Sequence, residues 1–186
     1  NRLNFLYTVP MFHCNGWCYP WTLAMLHARV ICIRNITARE IFNLITQYKV
    51  THFGGAPIIL NMIVNATKSE QKPPKHKVYV LTAAAPPPSI IFKKMENLGF
   101  EVMHVYGLTE TYGHMLQCAW NTEWDNLTDD EKAEINARQG VRYPNTEGTE
   151  VMDPETMKAV PRDGKTMGEI MIRGNIVMKG YFKDKE

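Results

Sequence analysis

Thr109 and Glu110 are the residues of this chain whose types and spacing are best suited to chemistry. They follow Tyr106 and Gly107 at the end of an apolar run, residues 100–105. A glycine lets the backbone approach a ligand closely, while threonine supplies a hydroxyl donor and glutamate a hard oxygen ligand. The tyrosine ring offers a flat face to a purine. The segment therefore predicts a site for a nucleotide phosphate and its metal.

The same positions also have a structural interpretation, which stays open at this point. Thr109 is a good N-cap, and Glu110 is favoured near the positive end of a helix, so the pair is equally typical of a polar helix start. The adjacent Tyr106 and Gly107 favour the ligand site over the cap.

Two further segments follow apolar runs in the same way. Residues 83–86, Ala-Ala-Ala-Pro, leave room for a flat ring, although alone they are more typical of a close strand-to-helix junction. His13 lies in a turn rich in glycine and aromatic residues, where it is either a pocket wall or a structural histidine. Small-residue turns at successive strand ends are where α/β sheets build a ligand crevice.

Short β-rich runs alternate with helical patterns along most of the chain. Strands are predicted at residues 4–9, 28–33, 50–54, 78–82 and 100–105, and helices after Thr37, from Pro57 to residue 67, and at 88–98. Repeated strand–helix–strand order implies an α/β fold, with a parallel β-sheet flanked by helices.

The chain changes character after the Thr-Glu segment. A capping box at Thr128 and Glu131 predicts a short charged helix. Residues 147–153 and 168–173 resemble strands without a long helix between them, so we predict an antiparallel pair. The resulting division is an α/β nucleotide- and acyl-binding body, residues 1–143, and a smaller β-rich subdomain, residues 144–186.

Composition excludes several classes of function. The 186 residues carry a net charge of +2, which is too small for a nucleic-acid-binding face. No apolar run reaches the ~20 residues that span a bilayer, so no transmembrane segment is predicted. The four cysteines predict thiols in a reducing compartment rather than a disulfide scaffold. The sequence shows no targeting signal, and we expect a cytoplasmic or peroxisomal protein.

In their order, these segments resemble the acyl-activating, adenylate-forming enzymes: acyl-CoA synthetases, 4-coumarate–CoA ligases, luciferases and peptide-synthetase adenylation domains. Pro-Met-Phe-His at 10–13 matches the first pocket motif, and residues 83–86 stand where Gly-Ala-Pro or Ala-Ala-Pro is usual. Residues 105–111 match Tyr-Gly-x-Thr-Glu, and residues 168–181 match the Gly-Glu-Ile, Arg-Gly and Gly-Tyr segment. The details are most similar to plant acyl-activating enzymes, such as short- and medium-chain fatty-acid or benzoate CoA ligases.

The resemblance implies two steps: a fatty or aromatic carboxylic acid and ATP form acyl-AMP, and the thiol of CoA then displaces AMP. Thr109 would bind phosphate, Glu110 would hold Mg²⁺, and His13 would stand near the reacting carboxylate. Gly107 would border the acyl chain. The adenine slot would be lined by Ala84, Ala85, Pro86, His104, Val105 and Tyr106. The partners implied are the acid, ATP and CoA, with no nucleic acid.

The sequence also departs from the family pattern. Ala83 and Ala84 replace a version that contains glycine, and His114 stands where proline is common. The sequence lacks a Ser/Thr/Gly-rich phosphate loop, a Thr-Gly-Asp ribose motif and the small C-terminal domain with its catalytic lysine. We therefore expect the central part of the large N-terminal domain of a ligase, inactive as 186 residues alone. Two alternatives stay open: a nucleotide- or acyl-binding module without turnover, and an adenylate-forming enzyme that does not use CoA.

Overall fold

The computed structural model describes residues 2–84, 87–144 and 146–184. Its strands, in chain order, are β1 Asn4–Tyr7, β2 Arg29–Cys32, β3 His52–Gly54, β4 Val78–Thr82, β5 Phe100–Leu108, β6 Gly113–Gln117, β7 Val141–Arg142, β8 Gly148–Met152 and β9 Glu169–Arg173. The first seven form one sheet in the order β2-β1-β3-β4-β5-β6-β7, and β8 and β9 form a separate sheet.

The direction of the strands confirms the predicted α/β fold. β1 to β5 pair in parallel. β8 and β9 pair antiparallel, as predicted, with Gly148 opposite Arg173 and Met152 opposite Glu169. The sequence interpretation did not include β6 and β7, which extend the parallel sheet with two antiparallel strands.

The helices lie mostly where their caps predict them. They are α1 Cys14–Trp17, α2 Tyr19–Met25, α3 Ala38–Tyr48, α4 Pro57–Val64, α5 Ser89–Asn97 and α6 Asp129–Asn136. The Thr37 hydroxyl accepts a hydrogen bond from the Glu40 amide at 3.2 Å, and Thr128 and Glu131 form the predicted capping box. α4 ends at Val64, three residues before the predicted end. In the described parts of the chain, no helix is long and apolar enough to cross a membrane.

Strand order places the candidate site residues at one edge of the sheet. β2 and β3 pair with opposite sides of β1. The chain therefore adds β2 in one direction across the sheet and adds β3 and the later strands in the other direction. Such a switch point opens a crevice at the carboxyl ends of parallel strands. The loops that follow β1, β4 and β5 carry His13, Ala84 and Thr109, and all three open at this edge.

The two faces of the large sheet are covered unequally. Leu6 points into the main core, where α3 to α5 pack against the sheet together with Ala133 of α6. Its neighbours Phe5 and Tyr7 point to the opposite face, as alternation in a strand requires, and pack against Leu23 of α2.

Candidate functional site

The Thr-Glu segment forms the turn of a β-hairpin. β5 runs three residues beyond the predicted strand, to Leu108, and pairs antiparallel with β6. Between them, Thr109–Thr111 form a single 3-10 turn, which Tyr112 closes in the left-handed conformation at φ 56°. The alternative that Thr109 caps the start of a helix is therefore wrong, because Leu108 is the cap of this short 3-10 turn and the chain then reverses into another strand.

Thr111, rather than Thr109, satisfies the backbone of this turn. Its buried hydroxyl accepts from the Leu108 amide at 2.9 Å and lies 2.9 Å from the Gly113 carbonyl, to which it can donate. The neighbouring Thr109 is exposed. In the described parts of the chain its hydroxyl has no hydrogen-bond partner, so it is available to a ligand.

Gly107 is required by the close approach of the two strands. A Cβ atom built there would overlap the Gly113 carbonyl oxygen and lie 2.6 Å from its carbon and 2.8 Å from His114 Cα. The strand pairing also shifts by a bulge between Tyr106 and Gly107. Glycine therefore fixes the path that presents Thr109 and Glu110.

Glu110 is held by a segment more than sixty residues further along the chain. The Tyr181 hydroxyl donates to Glu110 Oε1 at 2.6 Å, and the Met178 amide donates to the Glu110 carbonyl oxygen at 2.7 Å. The bond from Tyr181 is the main reason that the pKa of Glu110 lies below its usual range. The carboxylate is thus ionised and oriented. Sequence reasoning noted the Gly-Tyr segment but gave Tyr181 no role.

The His13 segment is a tight turn at the end of β1. The His13 amide donates to the Pro10 carbonyl at 3.0 Å, and the Gly16 amide donates to the His13 carbonyl at 2.7 Å. A Cβ at Gly16 would overlap Pro10 O and lie 3.1 Å from Met11 Cα, so this turn too depends on a glycine. The His13 side chain is exposed at the sheet edge.

The fold brings this segment against the hairpin. Cys18, between α1 and α2, donates through its thiol to the Tyr112 carbonyl at 3.6 Å. The Tyr19 and His114 rings lie 6.4 Å apart between centroids. The pKa of His114 is lowered by burial and further by the nearby His13. Two of the three predicted segments therefore meet in space.

A small aromatic cavity lies at this junction. It has a volume of about 350 Å³ and is lined by Cys18, Tyr112, His114, Tyr143 and Ile176. In the part of the chain that the structure describes, Tyr19 Oη and His114 Nε2 are buried without a hydrogen-bond partner. Buried polar atoms normally find a partner in protein, water or ligand, so His114 gives the cavity wall an unused polar group, with that of Tyr19 nearby. The sequence marked His114 only as a departure from the family pattern and gave no signal for Tyr143.

The loop after β4 is the third predicted segment. Thr82 ends β4 beside His104 of β5, so Ala84 lies at the same edge of the sheet as Tyr106. Ala84 has φ of 80°, a left-handed conformation that L residues with a Cβ rarely adopt. Ala85 and Pro86 lie outside the described residues.

His104 and Val105 are buried in the strand before the turn. His104 Nδ1 lies 3.2 Å and 3.1 Å from the carbonyl oxygens of Ala137 and Arg138, so this nitrogen carries the proton and donates to them. Burial lowers the pKa of His104. The imidazole faces the residues at the end of α6. The main chain of His104 is therefore the part of this residue that can border a nucleotide.

The residues at the hairpin turn fit a magnesium-bound phosphate. Among the described residues, no three His, Cys, Asp or Glu side chains cluster as a preformed metal cage. Glu110 is a single hard carboxylate beside the exposed Thr109 hydroxyl. One or two protein carboxylates, completed by phosphate oxygens and water, are the usual ligands of Mg²⁺ in nucleotide sites.

The fold and the order of these segments define an adenylate-forming type of site. The chain belongs to the AMP-binding enzyme family, whose model matches residues 1–182. It is 56% identical over 184 residues to the peroxisomal acetate/butyrate–CoA ligase AAE7 of Arabidopsis thaliana, covering 98% of this chain and 32% of that protein. It is 48% identical over 182 residues to the 2-methylpropanoate–CoA ligase CCL4 of Humulus lupulus, covering 98% and 32%.

Solved structures agree with this assignment at the level of fold. The o-succinylbenzoate coenzyme A synthetase of Bacillus subtilis, in complex with ATP and magnesium ion, superposes with a TM-score of 0.77 at 20% identity, covering 98% of this chain and 35% of that one. The N-terminal domain of FACL13 from Mycobacterium tuberculosis gives 0.76 at 24% identity, covering 98% and 43%. The chain spans about a third of the length of the curated relatives it matches.

Proposed function

We propose that this chain supplies the nucleotide- and acid-binding part of an ATP-dependent acid–thiol ligase. The reaction would join a carboxylic acid to AMP with release of pyrophosphate, and then transfer the acyl group to the thiol of CoA. The observation that carries the proposal is the β5–β6 hairpin, which presents Thr109 and Glu110 beside the His13 turn at the carboxyl edge of a parallel sheet. The CoA-ligase names of the similar plant proteins support the thiol step.

On the nucleotide side, Thr109 donates a hydrogen bond to a phosphate oxygen and Glu110 holds Mg²⁺. When bound, Mg²⁺ neutralises phosphate charge that would otherwise repel an incoming carboxylate. Tyr106 stacks on the adenine, which also contacts the main chain of His104 and Val105. Ala84 forms the other wall of this slot, and the family resemblance extends this role to Ala85 and Pro86.

On the acid side, His13 stands near the reacting carboxylate and Gly107 borders the acyl chain. The cavity of about 350 Å³ between Cys18, His114 and Tyr143 would receive that chain. We propose a short acid, because acetate, butyrate and 2-methylpropanoate stand in the names of two relatives. A panel of straight-chain, branched and aromatic acids assayed on the full-length protein tests this; a preference for acids longer than eight carbons would contradict it.

Replacement of Glu110 by glutamine tests the metal role. Glu110→Gln keeps the shape of the side chain but removes the charge, so we expect ATP–pyrophosphate exchange by the full-length protein to fall by about 100-fold or more. Glu155→Gln, the same change at an exposed position of the β8–β9 loop, serves as the matched control and leaves exchange unchanged. Near-normal exchange by Glu110→Gln would exclude the assigned role.

Two narrower parts of the proposal have their own tests. Release of AMP that does not depend on a thiol would favour an adenylate-forming enzyme without CoA. We also propose that the 186 residues alone bind ligand but do not form acyl-AMP. Measurable ATP–pyrophosphate exchange by that purified segment would contradict this. The proposed location is cytoplasmic or peroxisomal, because two relatives are named as peroxisomal; fractionation of cells tests it.

A further inference from the structure

The segment that follows β9 reaches back to the hairpin and contacts Glu110 twice. The Met178 amide bonds to the main-chain carbonyl of Glu110 at 2.7 Å, and the Tyr181 hydroxyl bonds to its carboxylate at 2.6 Å. The first contact fixes the position of the residue and the second fixes the orientation of its side chain. These contacts connect the part of the chain that carries the small sheet to the turn of the large one.

We propose that Tyr181 is a positioning residue, which orients the Glu110 carboxylate for the cation that accompanies the nucleotide. This inference rests on the proposed function, because it requires Glu110 to be a cation ligand. Tyr181 does not itself contact the nucleotide or the metal; it acts through Glu110.

The chemistry of a carboxylate makes this arrangement suitable for metal binding. An ionised carboxylate has two oxygens with about four acceptor sites, and a tyrosine hydroxyl occupies only one of them. The remaining capacity is enough for a cation that takes a single carboxylate oxygen, as Mg²⁺ usually does. A hydrogen bond from an outer residue commonly orients a metal ligand and raises metal affinity by 10–100-fold.

The position of the contact favours positioning over a role in folding. The side chain of Tyr181 is 61% exposed, so removal of its hydroxyl leaves no buried cavity. The turn itself is held by Thr111 and Gly107, which bond or pack within the hairpin. Tyr181 therefore adds orientation to a turn whose backbone is already fixed.

The opposite role, in which Tyr181 withholds the carboxylate from the metal, predicts an effect of opposite sign. If Tyr181 orients Glu110, removal of its hydroxyl weakens the contribution of the metal to nucleotide binding. If Tyr181 competes with the metal, the same change strengthens that contribution. Measurement of binding with and without metal separates the two.

The test is isothermal titration calorimetry of α,β-methylene-ATP with the full-length protein, in excess Mg²⁺ and in EDTA. The quantity of interest is the ratio of the dissociation constant without metal to that with metal. We expect Tyr181→Phe to lower this ratio about tenfold while leaving the dissociation constant in EDTA unchanged. A change of equal size in both conditions would indicate a merely structural role and overturn the proposal, as would an unchanged or increased ratio.

Two further variants complete the design. Tyr79→Phe removes a tyrosine hydroxyl from β4, where Tyr79 pairs with Glu101 far from the turn, and leaves both constants unchanged. Glu110→Gln lowers the ratio at least as much as Tyr181→Phe. If Glu110→Gln had no effect, the metal role of Glu110 and this proposal would both be wrong. If Glu110→Gln lowered the ratio and Tyr181→Phe did not, only the role of Tyr181 would be excluded.

Discussion

The loop after β4 and the turn after β5 lie side by side at the same edge of the sheet, yet they are built in opposite ways. In the hairpin, glycine stands at position 107, where no Cβ would fit, and the buried Thr111 satisfies the backbone. In the loop after β4, Ala84 adopts φ of 80°, where glycine would be unstrained. At position 107 the hairpin has the residue that its backbone demands, whereas at position 84 the loop after β4 does not. Such local conflicts tend to occur at functional sites.

The largest effect is expected from placing an alanine in the hairpin. Gly107→Ala puts a Cβ within 2.6 Å of Gly113 C, and its neighbours are backbone atoms that cannot move without breaking the β5–β6 pairing. We expect a loss of more than about 4 kcal/mol in the free energy of unfolding, in the range of severe steric disruption. Urea denaturation monitored by circular dichroism measures it.

Gly148 provides the matched control for that substitution. It lies in β8, and the nearest atom to a Cβ built there is Arg173 Cβ at 3.9 Å, an ordinary contact. Gly148→Ala should therefore change stability by less than about 1 kcal/mol. Equal, small effects of the two substitutions would show that the hairpin backbone accommodates a Cβ at position 107, and would contradict the requirement for glycine there.

An intermediate effect is expected from the hydroxyl inside the hairpin. Thr111→Val keeps the shape of the side chain but leaves the partly buried Leu108 amide without its partner, at a cost of about 1 kcal/mol. In the described parts of the chain, Thr149 Oγ1 is buried with no hydrogen-bond partner, so Thr149→Val should be neutral or stabilising. Denaturation midpoints of the two variants check the difference in sign, and a neutral Thr111→Val would contradict the role given to this hydroxyl.

The sequence predicted the parallel sheet well because its signals are local. The Thr37 cap, the buried face of α3 and the apolar strand at 78–82 are each set by neighbours within a few residues. β6 was overlooked because its segment, residues 113–117, has no flanking turn signal other than the Thr-Glu motif, and that motif also suits a helix start. The hairpin depends instead on packing of Gly107 against Gly113, which no local pattern records.

In the candidate site too, features with local sequence signals were predicted and features that depend on tertiary contacts were not. The residue types at 13, 84 and 109–110 were recognisable from their place after apolar runs, because parallel strands bring their carboxyl ends to one edge. Tyr181 was not assigned a role, because its contact with Glu110 joins residues 71 positions apart. The direction of the His104 side chain depended on the residues directly after α6, because it bonds the carbonyls of Ala137 and Arg138. Contacts between residues so far apart in the sequence are set by tertiary structure alone.

The smallest effect is expected from the reverse substitution in the loop after β4. Ala84→Gly removes the contact between Cβ and carbonyl oxygen that makes positive φ unfavourable by roughly 1–2 kcal/mol, while the greater freedom of glycine in the unfolded chain offsets roughly 0.5–1 kcal/mol. We therefore expect a net stabilisation of about 0.5–1 kcal/mol, read from the urea midpoint at constant m-value. Ala24→Gly, in the exposed face of α2, is the control and should destabilise by about 1 kcal/mol. If Ala84→Gly also destabilised the protein, the Ala84 methyl would have to contribute more through packing than the strain it imposes. Alanine at position 84 would then be the residue that favours the loop, as glycine at position 107 favours the hairpin.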